Sequence, residues 1–146
     1  MKSNNQGFTL IELMIVVEIL AIVAAIAVPN YMRTRIQTNE AAAIASLRVV
    51  LDAENSYNTQ YYVYANDITL LTNEDPPFLS GGDWTEPRNG YTYRVEGDPT
   101  NFIAFAVPVE YNVTGWHAFR IDATGAIRYE TGAEPTDASP TISGAN

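Results

Sequence analysis

Two carboxylates stand inside an otherwise apolar run near the N-terminus. From Phe8 to Val28 only Thr9, Glu12 and Glu18 are not apolar. An isolated charge at mid-bilayer costs a few kcal/mol, so each acid needs a partner, must reach an interface, or must stay protonated. Six residues apart at about 100° each, Glu12 and Glu18 are displaced by about 120° around a helix. They do not form a carboxylate pair on one face.

Other residues able to do chemistry are few. His117 is the only histidine and falls in a strand pattern, where it reads as a sheet or surface residue rather than a catalyst. One histidine excludes the helical metalloprotease pair, and there is no nucleophile elbow or phosphate-cradling glycine loop. The absence of cysteine excludes a thiolate metal site and a disulfide staple. No enzyme is expected, no catalytic residue is assigned, and no cofactor is implied. Asp75, Asp83, Glu86 and Asp98 fall in loops where carboxylate oxygens could hold calcium. Their spacing does not match an EF-hand, so they read as solvated loop acids, and no metal ligand is assigned. Asn112-Val113-Thr114 fits the N-glycosylation pattern, and Ser139, Thr141 and Ser143 are candidate glycan acceptors. Tyr61, Tyr62 and Tyr64 read as a cover for a helix-to-sheet junction rather than as a stacking or electron-transfer surface.

The elements that must position these residues follow from hydrophobic period. At about 1.5 Å per residue, Phe8 to Val28 gives a helix of about 31 Å, enough to cross a bilayer. A conventional secretory signal would have a stronger basic start than Lys2, although Ala24, Ala25 and Ala27 leave a cut near Val28 as an alternative. Arg33 and Arg35 flank the far side, so loop charge leans towards the opposite topology from an exported head. Pro29 removes the bond to the Ala25 carbonyl, and a kink is expected near Ala25 to Pro29. Residues 30 to 60 continue as an amphipathic helix, with Ile36, Ala43, Leu47, Val50, Glu54 and Tyr57 forming a stripe that packs on a sheet. A continuous helix from Phe8 to Thr59 would be about 78 Å long, so half of it must protrude.

Residues 61 to 130 form the head. Asp75-Pro76-Pro77, Gly81-Gly82-Asp83 and Arg88-Asn89-Gly90 mark a long loop, with a short helix at Asp67 to Leu71. From Tyr91 the period becomes two, giving about four antiparallel strands separated by turn residues at 97–101, 112–115 and 123–125. The fold class is α+β. Residues 131 to 146, rich in Thr, Ser, Pro, Gly and acid, are expected to be a flexible, exposed tail. One domain fits the 146 residues. The net charge of -9 argues against nucleic-acid binding, since the acids lie mostly beyond residue 38.

Gly7-Phe8-Thr9-Leu10-Ile11-Glu12, continued by Leu13-Met14-Ile15-Val16-Val17 and later by Pro29-Asn30-Tyr31, resembles the processing site and first helix of type IV prepilins and type II secretion pseudopilins. The resemblance covers residues 1 to 35. It implies that residues 1 to 7 are a leader removed by a dedicated inner-membrane peptidase, which cuts between Gly7 and Phe8 before Phe8 is N-methylated. Residues 8 to 29 are then retained as the membrane-spanning and filament-core helix. It also implies that Glu12 neutralises the terminal amine of a neighbouring subunit, and that Pro29 is the family's proline. The implied partners are further copies in a helical filament, the peptidase and methyltransferase, the membrane before assembly, and indirectly an inner-membrane platform and its ATPase motor. The sequence departs from the family at Glu18, a second buried acid, and at Ala21, where relatives often have glycine. The leading expectation is a major pilus subunit that moves from the inner membrane to an extracellular filament. A type II secretion major pseudopilin in a periplasmic pseudopilus is the alternative, and a membrane-anchored binding module is a third reading.

Overall fold

The computed structural model describes residues 7–142, so residues 1–6 of the expected leader, and the candidate glycan acceptor Ser143, lie outside the described residues. The chain divides into two compact units, one ending at Thr34 and the other beginning at Arg35. The helix α1, Leu10–Tyr61, supplies residues to both.

In the first unit the helix carries its apolar side chains outward, from Leu10 to Met32. A helix satisfies its backbone groups internally, which suits an apolar run. α1 continues through Pro29. Beside the proline, the Asn30 side-chain Nδ2 donates to the Ile26 carbonyl at 3.1 Å and the Thr34 hydroxyl to the Asn30 backbone carbonyl at 3.0 Å.

In the second unit α1 buries Ile36, Ala43, Leu47, Val50, Ala53 and Glu54, the three- and four-residue spacing of a single stripe. The helix stops at Tyr62, whose left-handed φ of 60° lets its amide donate to the Asn58 carbonyl at 2.8 Å. A second helix, α2, spans Ile68–Thr72 and is capped by Asp67, which accepts from the Thr69 amide at 2.8 Å. The loop that follows is anchored by buried Leu79 and Trp84, with the Arg88 guanidinium 4.2 Å over the indole.

Four strands complete the head: β1 Tyr91–Asp98, β2 Asn101–Pro108, β3 His117–Asp122 and β4 Ile127–Thr131. They form an antiparallel meander in sequence order. Asp98 pairs with Asn101, leaving Pro99-Thr100 as a two-residue turn capped by the Asp98 carboxylate. One face, including Tyr91, Val95, Phe102, Ala104, Phe119 and Ile121, forms a core with Leu47 and Val50 of α1. Burying each such large apolar side chain stabilises the head by about 1.5–3 kcal/mol. At Gly115 a Cβ would overlap the Tyr91 hydroxyl, which donates to the His117 carbonyl at 2.8 Å, so glycine is required there by space alone.

Residues 132–142 are mostly exposed, as expected, but they do not hang free, since they pair with groups on the opposite face of the sheet. Arg94 pairs with Phe105, Phe105 with Arg120, and Arg120 with Arg128, so these four side chains form a row across all four strands. Both Glu134 oxygens accept from Arg94 at 2.7 Å, Asp137 accepts from Arg120 at 2.7 Å, and the Ser139 carbonyl accepts from Arg128 at 2.9 Å. The Tyr129 amide donates to the Pro140 carbonyl at 3.0 Å and the Ile142 amide to the Ile127 carbonyl at 2.8 Å. Charge and backbone pairing hold this segment, and neither counts in a reading that weighs apolar content.

Candidate functional site at the N-terminal processing and assembly segment

Gly7 and Phe8 precede α1 in non-helical backbone and both are exposed. A Cβ at Gly7 would meet nothing within 4 Å, so the chain's own packing does not demand glycine there. Thr9 and Glu12 form a capping box. The Glu12 carboxylate accepts from the Thr9 amide at 2.8 Å and the Thr9 hydroxyl at 2.7 Å, while the Glu12 amide donates to the Thr9 hydroxyl at 3.3 Å. This ties the acid to the residue that follows Phe8. The Thr-x-x-Glu spacing was legible as a helix start, a local signal that the apolar run overshadowed. Glu18 makes no hydrogen bond or ion pair among the described residues. Pro29 lies inside the same helix, which is long and apolar enough to cross a membrane.

The remaining candidates are dispersed. Asn112 sits in an exposed turn at φ 67°, its amide donating to the Gly115 carbonyl at 2.9 Å. Thr141 is exposed and bridges to Arg128. Ser139 is corrected as a glycan acceptor, because it is buried and its hydroxyl donates to Glu130 at 2.8 Å. Asp83 and Asp98 each hold their own turn, accepting from the Thr85 and Thr100 amides. Tyr61 packs on Tyr57 and Phe78, and Tyr64 on Phe102, whereas Tyr62 is exposed.

His117 has a structural role that strand periodicity could not reveal. The Glu40 carboxylate accepts from the Trp116 amide at 2.8 Å and the His117 amide at 3.0 Å, with the His117 Nδ1 also at 3.0 Å. It ties α1 to the start of β3.

Residues 2–28 match the prokaryotic N-terminal methylation motif. A type IV major pilin protein of Myxococcus xanthus is 37% identical over 95 residues, 63% of this chain and 37% of that protein. A type IV narrow pilus major component of Thermus thermophilus is 32% identical over 97 residues, 66% of this chain and 84% of that protein. A type II secretion system core protein G of Aeromonas hydrophila is 30% identical over 105 residues, 67% of this chain and 69% of that protein. The chain belongs to the type IV pilin and type II secretion pseudopilin family. The aligned part nevertheless spans little more than a third of the Myxococcus pilin and 52% of a Thermus wide-pilus component. Within this family, the long helix laid on a four-stranded antiparallel sheet is the expected architecture, and it is the one described above.

Proposed function

We propose that this chain is the major subunit of a type IV pilus-like filament. The observation that carries the reading is the Gly7-Phe8 junction in exposed, non-helical backbone, set directly before a capped, outward-facing apolar helix. A peptidase needs accessible backbone at the bond it cuts, and the glycine that intramolecular packing does not require suits a narrow peptidase cleft. Cleavage gives Phe8 as the new N-terminus, which is then methylated. The mature subunit waits as a single-pass inner-membrane protein and enters the polymer through the same helix, with an assembly platform and its motor supplying the work.

Glu12 is the assembly acid in this reading. A carboxylate and an amine buried together compensate each other, while either alone is expensive in hydrocarbon. Glu12 moves from its own Thr9 to the Phe8 amine of a neighbour. The relationship to a type II secretion core protein G supports a periplasmic pseudopilus as the second reading. N-terminal sequencing of the mature protein, with electron microscopy of the cell surface, tests the proposal. An N-methylated Phe8 terminus in surface filaments is the expected result. A terminus elsewhere removes the processing step, and filaments confined to the periplasm favour the pseudopilus.

A further inference from the structure

Loop charge around the apolar run leans against an exported head because Arg33 and Arg35 follow it, and the filament reading gives these two residues no task. They stand in a stretch of unusual sign for a chain of net charge -9. Between Glu18 and Glu40 there is no acid, and Arg33 and Arg35 are the only charged residues. Both are exposed, and neither makes a hydrogen bond or ion pair with a described residue. Glu40, the next acid along α1, is already taken by the Trp116 and His117 amides and by the His117 Nδ1. The arginines of the sheet and its loops are placed differently: Arg88 donates to the Gly81 carbonyl, Arg94 to Glu134, Arg120 to Asp137 and Arg128 to the Ser139 carbonyl. Water can solvate two exposed guanidiniums, so charge alone does not name a partner for Arg33 and Arg35. Their depth does.

At about 1.5 Å per residue, Arg33 lies about 7.5 Å and Arg35 about 10.5 Å along α1 past Val28, the last residue of the apolar run. The polar headgroup layer adds about 5–7.5 Å on each side of the hydrocarbon. Helical side chains lean towards the N-terminus of their helix, which here is the membrane side, and an arginine is long enough to carry its guanidinium back among the phosphates. Tyr31, 69% exposed and about 4.5 Å past Val28, stands at the depth where aromatic rings settle between hydrocarbon and headgroups. Two residues apart at about 100° each, the arginines project about 200° apart around the helix, so they meet separate headgroups rather than share one. The planar, permanently charged guanidinium matches phosphate oxygens with paired donors. An acidic loop of a second copy has the right charge but gains nothing from this depth, and free phosphate is not concentrated there. Phospholipid is.

We propose that Arg33 and Arg35 each bind the headgroup phosphate of an anionic phospholipid in the leaflet nearest the head, and so fix how deep the apolar run sits before assembly. The inference rests on the membrane-anchored stage of the function proposed above and needs no filament. The acidic head repels an anionic surface, and the one stretch of chain with the opposite sign joins it to that surface.

The test uses full-length protein reconstituted in phosphatidylcholine vesicles that contain a trace of phosphatidylglycerol with a photoreactive group just below its headgroup. The matching photoreactive phosphatidylcholine is the reference, since it carries the same phosphate under a cationic choline. Attached lipid is located by peptide mapping. One arginine near an anionic lipid surface is worth about fivefold in affinity. Labelling around residues 31–35 is therefore expected to favour phosphatidylglycerol by at least about fivefold. Arg33→Gln with Arg35→Gln should bring the two lipids level, whereas Arg33→Lys with Arg35→Lys should keep most of the preference. Arg48→Gln removes an equally exposed and unpartnered charge from the second unit and should leave the preference unchanged. Equal labelling of the unmodified protein by both lipids, or a preference that survives in the double glutamine variant, overturns the proposal. Loss of the preference when inorganic phosphate replaces chloride at equal ionic strength assigns the two cations to free phosphate and overturns it as well. Protein that a carbonate wash strips from the vesicles contradicts the membrane-anchored reading itself, so the two failures are distinguishable.

Discussion

Glu54 shows how one residue can set a property of the whole head. It is fully buried on the helix stripe, one oxygen accepting from the Ala65 amide at 3.0 Å and the other unpartnered. Burial pushes its pKa from 4.5 up to about 7, against the lowering effect of the Ala65 bond. The native state therefore holds a proton that the unfolded chain releases. Its contribution to stability is full below about pH 4.5 and is lost as pH rises through about 7. The loss from this group should reach roughly 3 kcal/mol by about pH 8.5. Urea unfolding of the detergent-solubilised protein at about pH 5 and about pH 8.5, on either side of that transition, measures it. Glu54→Gln should flatten the dependence, and an unchanged slope would show that Glu54 titrates normally. The position was legible as part of the stripe, because period alone placed it there. Its partner was not, since the Ala65 amide comes from a segment beyond the helix whose path no period describes.

At the level of elements, two contacts fix the helix and the sheet turns. Removing the Glu40 carboxylate would leave the Trp116 and His117 amides without their acceptor, so Glu40→Ala should destabilise the head by about 2–4 kcal/mol. A thermal melt shifted by less than a degree would contradict this. Gly115→Ala should be comparably harmful, because its methyl would meet the Tyr91 hydroxyl. Tyr91→Phe removes that oxygen, and a double-mutant cycle should show Gly115→Ala costing less in the Tyr91→Phe background. Additive effects would place the strain in the backbone instead. The four strands and α2 were readable because alternation and the Asp67 cap are local signals. The Glu40 clamp was hidden because it joins α1 to a strand far along the chain, and the arginine row because it depends on strand register.

For the molecule as a whole, the two helix acids should behave differently. Glu12 completes a box with Thr9, whereas Glu18 has no partner among the described residues. Glu18→Leu should therefore leave filament yield in sheared cell-surface fractions unchanged or higher, while Glu12→Leu should abolish filaments and leave subunit in the membrane. Loss of filaments in both variants would give Glu18 an assembly role of its own. The apolar run and the N-terminal methylation motif were the most legible part of the chain, because they depend on contiguous residues. The exposure of the tail was legible from its composition, whereas the ions and backbone bonds that attach it to the sheet were not, because composition does not weigh them.

The pairing of residues 140–142 with β4 has a further consequence for a crowded assembly. The last strand of an open sheet offers unpaired amides and carbonyls to any similar strand, a standing invitation to irregular aggregation. Here the Pro140 carbonyl and the Ile142 amide occupy part of that margin. The backbone groups of Tyr129 and Ile127 are thereby already paired and closed to the strand of another head.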